Sequence, residues 1–278
     1  MKLRSIVGLF RGRPHHPVGP DGRMALSDHF REFRARLMRC VLALALAFVV
    51  AIVFRHALYD AVYDPYMQAQ SKLPKGSTEA TTSGAGAGLT MWLTLGGFAA
   101  LVATAPYWLY QIWAFIVPGL YARERKMSRV FATIAGPLFI LGVGLGYVTL
   151  PLGLEVLIGF NPDGITNLID FNDYLQFFTR TLFVFGLAFN IPVFVVLLNA
   201  AGIVKGKALA AYRPWIVIGT FVFSAVATPS ADPFTMTLMA VPMLVLFLLS
   251  EVIARVNDRR RASRSPNAGL SPEELSPL

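Results

Sequence analysis

Two carboxylates set in basic surroundings are the residues of this chain best suited to chemistry. Glu124 lies between Arg123 and Arg125-Lys126, at the end of the stretch PYWLYQIWAFIVPGLYARERK that runs from Pro106 to Lys126. Glu32 lies in HFREFRARLMR, among Arg31, Arg34, Arg36 and Arg39. A carboxylate among cations either pairs with its neighbours, worth about 0–1 kcal/mol at a surface, or is kept there to receive an incoming cation. For Glu32 the local alternative is Arg36, four residues on along a helix. From the residues alone both readings stay open.

Other chemistry is mostly excluded. No HExxH, CxxC or Walker loop occurs. The histidines are His15, His16, His29 and His56, so a Ser–His site in the apolar bulk of the chain lacks its base. The single cysteine, Cys40, excludes an intramolecular disulfide and any Cys-based metal site. Asp232 has no second membrane-embedded aspartate with which to form a dyad. No catalytic residue, metal or cofactor is expected, and the chain reads as a non-enzyme. A secondary transporter would carry internal repeats and paired polar residues near the midplane, whereas the deep polar set here is little more than Asn190. A surface that binds other polypeptides fits the two carboxylates and the crowded aromatics better.

The elements that must position these residues are membrane spans. The chain has 278 residues, of which 55% are hydrophobic, with mean hydropathy +0.56. Long apolar runs separated by short polar loops define an all-α polytopic membrane protein. The net charge of +9 comes from Arg and Lys clusters that flank apolar segments, which is a mark of topology and not of nucleic-acid binding. Of the 25 basic residues, all but Arg55, Lys72, Lys75 and Arg180 fall in segments that a six-span arrangement places inside, so both termini are expected in the cytoplasm.

Residues 1–25 are basic and rich in Pro and Gly, and read as a disordered extension, with Met24 an alternative start. The six-span domain is expected over 26–255, with a disordered cytoplasmic tail over 256–278. Ser27 or Asp28 can cap a basic amphipathic helix with Phe30, Phe33 and Leu37 on one face, lying at the membrane surface before it turns into the first span. That span is expected from about Cys40 to Leu58, followed by a long polar segment to Gly88. The second runs from Leu89 to Val117 and is long enough to tilt. The third covers about Arg129 to Leu150, where Gly136, Gly142, Gly144 and Gly146 permit close helix approach.

A loop carrying Glu155, Asp163, Asp170 and Asp173 then faces outward. Span four, about Tyr174 to Leu198, holds Arg180, expected to snorkel or pair with Asp173 or Glu155. It also holds Asn190, a candidate bridge between helices. Span five, Pro214 to Thr228, covers roughly 22 Å at 1.5 Å per residue, less than a hydrocarbon core of about 30 Å. Span six, about Phe234 to Glu251, is also read as short and as interrupted by Pro242. Between them, Thr228 either caps its helix or belongs to a docking edge. Asp232 likewise either initiates the Pro229–Pro233 turn or belongs to that edge.

The segments HFREFRARL, PYWLYQIWAFIVPGLYARERK, FNDYLQFF, FGLAFNIPV and RPWIVIGTFVFSAVATPSADPFTMTLMAVP resemble, in the same order, the signature segments of TatC, the core subunit of the twin-arginine protein translocase. The resemblance covers about Leu26 to Arg255. It implies a multi-pass protein of the bacterial cytoplasmic membrane that binds the Arg-Arg motif of signal peptides. It implies assembly with TatA-type and TatB-type single-span subunits into a multimeric complex within membrane lipid. Folded proteins would be exported by the proton-motive force, without nucleic acid or a cofactor. By the same resemblance Glu32 and Glu124 are the signal-arginine carboxylates, Arg34 and Phe115 neighbouring motif positions, and Thr228 and Asp232 part of the partner-docking segment. Many family members carry a glutamate where this chain has Asn190, which keeps hydrogen bonding there but removes a charge.

Overall fold

The computed structural model describes residues 26–74, 76–116, 125–162, 166–200, 202, 204–227 and 233–263. In chain order these form α1 (Leu26–Val53), α2 (Arg55–Lys72), β1 (Thr78–Thr81), α3 (Ala87–Ala103), α4 (Ala105–Ile116), α5 (Arg125–Gly159), β2 (Asn167–Asp170), α6 (Phe171–Ala200), α7 (Gly206–Ala211), α8 (Arg213–Ala227) and α9 (Pro233–Ser263). Four helices are long and apolar enough to cross a membrane, α3 and α4 form one bent pair, and α8 is a shorter apolar helix. Among the described residues this gives four spanning helices, or five if the bent pair is one span, in an all-α membrane protein.

Several elements differ from the sequence reading. The amphipathic helix does not turn at the membrane surface; it runs on as one helix to Val53, short of the expected Leu58. The polar segment after it holds α2 and a strand, β1, which pairs in parallel with β2 from Thr78↔Asn167 to Thr81↔Asp170. The expected second span is bent by 61° between α3 and α4. Pro106 has no N–H to donate into the preceding turn, and the Thr104 hydroxyl turns back on its own helix, donating to Ala100 O at 2.7 Å alongside the Thr104 backbone N–H. Trp108 Nε1 then donates back to Leu101 O at 3.0 Å and braces the angle.

α5 continues to Gly159, so Glu155 sits on a helix and not in a loop. Glu155 pairs with Lys72 at 2.9 Å, and among the described residues Arg180 forms no ion pair with it or with Asp173. The last helix is not short. α9 spans 31 residues through Pro242, which costs one intrahelical bond without breaking it, and passes 255 to end at Ser263. Only α8, with 15 residues, keeps the expected shortness.

α5 and α6 pack along much of their length around glycines. A Cβ on Gly142 would lie 2.6 Å from Phe185 O, and one on Gly186 2.7 Å from Phe139, so each helix approaches the other where a side chain is missing. Gly136 and Gly146 make similar close approaches, to Pro106 and Phe185, whereas Gly144 has open space beside it. Away from the basic end, α2, β1 and β2 close over a core of Tyr66, Phe171, Tyr174, Leu175 and Phe178. Tyr174 donates to Val62 O at 2.7 Å, and Gln70 Nε2 to Thr78 O at 2.8 Å.

Candidate polypeptide-binding face

The bend at Thr104 decides what the N-terminal half of the chain presents. It swings α4 against the first turns of α1, and an aromatic contact forms there. Phe115 stacks on His29 with ring centroids 4.3 Å apart and meets Phe33 at 5.3 Å. Residues 29, 33 and 36 recur at helical spacing on the side of α1 that faces α4. One turn back along α4, Gln111 reaches the same side of α1: its Oε1 accepts from Arg36 Nη1 at 3.1 Å. Arg36 Nε and Nη2 also donate to Glu32 Oε1, at 2.9 and 2.5 Å. Glu32 and Phe115, named separately from the sequence, therefore lie on one face, joined through Arg36, Gln111 and His29.

The face is partly sheltered. The Glu32 and Arg36 side chains are 15% and 19% exposed, and Gln111 is buried. Arg34 points away as an exposed residue. Chemically the arrangement is a carboxylate beside an aromatic platform, able to take a cation followed by an apolar residue. Glu124, Thr228 and Asp232 lie outside the described residues.

Trp113 carries the face inward, meeting Phe194 of α6 edge-on at 5.2 Å. A second polar constellation follows at the end of α6. Asn199 Nδ2 donates to Val204 O and to Asp258 Oδ1, both at 2.9 Å. Asp258 Oδ2 accepts from Gly206 N at 2.6 Å, and Asn257 donates to Asn199 Oδ1 at 3.0 Å. Glu251 lies between Arg213 and Arg255, at 2.7 and 2.6 Å. The ends of α6, α7, α8 and α9 are thus fastened together. Asn190 is buried at 3% exposure and does not bridge two helices. Its Nδ2 donates to Gly186 O of its own helix at 2.9 Å, and its Oδ1 has no partner among the described residues.

Gln111, the placing of His29, and the Glu251 and Asp258 networks are absent from the sequence reading. Gln111 is the single amide in an aromatic run, which is the one signal that could have marked it.

A family model described as "Sec-independent protein translocase protein (TatC)" matches residues 28–242. The chain belongs to the TatC family. A TatC from Frankia casuarinae is 39% identical over 268 residues, covering 93% of this chain and 74% of the relative. A TatC from Escherichia coli is 34% identical over 231 residues, covering 83% of this chain and 88% of its own. A crystal structure of the twin arginine translocase receptor TatC in DDM superimposes with TM-score 0.68 at 27% identity, covering 81% of this chain and 99% of that one. TatC proteins are membrane components of protein transport and not enzymes, and this chain is a polytopic membrane protein of that family.

Proposed function

We propose that this chain is the signal-peptide receptor and core subunit of a twin-arginine translocase in the bacterial cytoplasmic membrane. In this reading both termini are cytoplasmic, TatA-type and TatB-type single-span subunits assemble with the chain, and folded cargo is exported by the proton-motive force. The observation that carries the reading is the docking of α4 on the start of α1, which puts Glu32 and Phe115 on one face at the basic end of the bundle. A signal arginine would offer Glu32 a charge-assisted hydrogen bond in fork geometry that lysine cannot reproduce. The apolar residues after it would lie on Phe115 and Phe33. Glu124 is assigned to the second arginine and Arg34 to the surrounding motif. Thr228 and Asp232 are assigned to the edge where partner spans dock.

The test is photocrosslinking of a tagged Arg-Arg signal peptide from positions beside Glu32 and Glu124, with a Lys-Lys peptide as control. Glu32→Ala and Glu124→Ala should each weaken the crosslink while the protein stays inserted and folded. Undiminished crosslinking in both variants would reduce the two carboxylates to local ion pairs.

A further inference from the structure

Arg36 already occupies the place that an incoming guanidinium would need. Its Nε and Nη2 both donate to Glu32 Oε1, and its Nη1 donates to Gln111 Oε1. Two features separate this from an ordinary pair on a helix surface. The arginine reaches off its own helix to a buried amide 75 residues away in sequence. Its donors are also divided between acceptors on two helices, so that releasing one acceptor leaves it held by the other.

We propose, resting on the signal-binding reading above, that Arg36 is a resident stand-in for the signal arginine. It holds Glu32 while no signal is bound and yields the carboxylate to an incoming guanidinium, and Gln111 retains it afterwards. The exchange is like for like: the charge-assisted bond lost by Arg36 is regained by the signal arginine. A lysine ammonium is a compact point donor without the planar fork, so it displaces Arg36 poorly. The cost of displacing Arg36 is common to every cation that takes Glu32, so Arg36 lowers the affinity of all of them and leaves the preference for arginine to the carboxylate itself. The 3.1 Å bond to Gln111 is the longest of the three at rest, and it becomes the principal partner of Arg36 once Glu32 is taken.

The full chain in lipid nanodiscs, titrated with a synthetic Arg-Arg signal peptide and its Lys-Lys counterpart, tests this. Arg36→Ala removes the competitor and should tighten the Arg-Arg peptide about tenfold, equivalent to about 1.4 kcal/mol. The Lys-Lys peptide should gain by a similar factor, because displacing Arg36 is a step common to both, and the ratio between the two should hold. Gln111→Leu should weaken the Arg-Arg peptide, because displaced Arg36 then has no acceptor. Damage to the α1–α4 contact would instead weaken binding in both variants. Unchanged or weaker binding of the Arg-Arg peptide by Arg36→Ala overturns the stand-in role. Glu32→Ala, made with and without Arg36→Ala, separates the two levels of failure. If it weakens binding while Arg36→Ala gives no gain, only the stand-in falls; if it changes nothing in either setting, the signal-binding reading falls with it.

Discussion

Arg213, at the start of the short helix α8, closes on the buried carboxylate of Glu251 with Nε 3.0 Å from Oε2 and Nη2 2.7 Å from Oε1. Arg255 meets the same carboxylate from α9 at 2.6 Å. The Glu251 side chain is only 3% exposed, whereas both arginines are 47% exposed. That asymmetry sets the expected order of damage. Removing one arginine leaves the carboxylate a partner, so Arg213→Ala or Arg255→Ala should lower the unfolding temperature only modestly, as befits half-exposed partners. Removing both leaves a buried charge unpaired, and the double variant should lose more than the two single losses together. Thermal unfolding in detergent measures it. A strictly additive double variant would show that the carboxylate is not sheltered.

The glycine contact between α5 and α6 gives a sharper contrast. A Cβ on Gly142 would meet the Phe185 carbonyl, a backbone atom that cannot rotate away. Gly142→Ala should therefore destabilise by about 1–3 kcal/mol through overpacking. Gly144→Ala, two residues along the same helix, meets nothing within 4 Å. It should be neutral or gain about 0.5–1 kcal/mol from reduced backbone freedom in the unfolded chain. Equal effects of the two substitutions on unfolding temperature would contradict the close approach.

The apolar runs made the helices legible, and the basic clusters marked one end of the bundle. What could not be read was where local rules compete with packing. Pro106 and Pro242 are chemically alike, yet one stands at a 61° bend and the other inside an unbroken helix. At Pro106 the Trp108 indole reaches across the bend to Leu101 O and holds the new direction. The carboxylate at Glu155 shows a second limit. Its partner, Lys72, is 83 residues away, and no periodicity connects them. Gln111 shows a third: an uncharged amide gives little warning that it will accept from an arginine on another helix. Glu32 was legible in both its readings, and the observed pair with Arg36 is the local one.

Asp170, at the end of β2, carries the pH dependence of the region around the strands. Its carboxylate accepts from the hydroxyl of Ser83, from Asn172 N at 2.8 Å and from Ser83 N at 3.0 Å. The Ser83 hydroxyl first, and the Asn172 amide next, hold its pKa below the usual carboxylate value of 3.8. A folded-state pKa lower than the unfolded one means stabilisation present above the ordinary carboxylate range and lost as pH falls through the depressed value. The protection of the amides in Thr78–Thr81 and Asn167–Asp170, measured against their intrinsic exchange rate at each pH, should therefore fall on acidification below that range. Asp170→Asn should lower that protection at neutral pH and flatten its acid dependence. An Asp170→Asn variant that keeps the wild-type acid profile would assign the effect to another group.

The length of α8 bears on how the membrane is met. Fifteen residues span roughly 22 Å at 1.5 Å per residue, against a hydrocarbon core of about 30 Å. A short span is accommodated by thinning the bilayer or by packing against other helices. The Arg213–Glu251 contact holds one end of α8, so the mismatch is expressed at the other, beside Thr228 and Asp232. In nanodiscs of long-chain lipids the mismatch grows, and binding of the proposed single-span partners should weaken while Arg-Arg signal binding at the proposed α1–α4 site holds. Short-chain lipids should restore partner binding. Inserting four apolar residues after Val222 should likewise spare signal binding and stop transport. That insertion also turns the far end of the helix by about 40° and carries Ser224 away from Met243, its buried neighbour at 4.0 Å. A three-residue insertion, which turns it the opposite way, separates length from phase. If both lengthened variants export cargo normally, and lipid length leaves partner binding unchanged, the shortness of α8 has no part in docking.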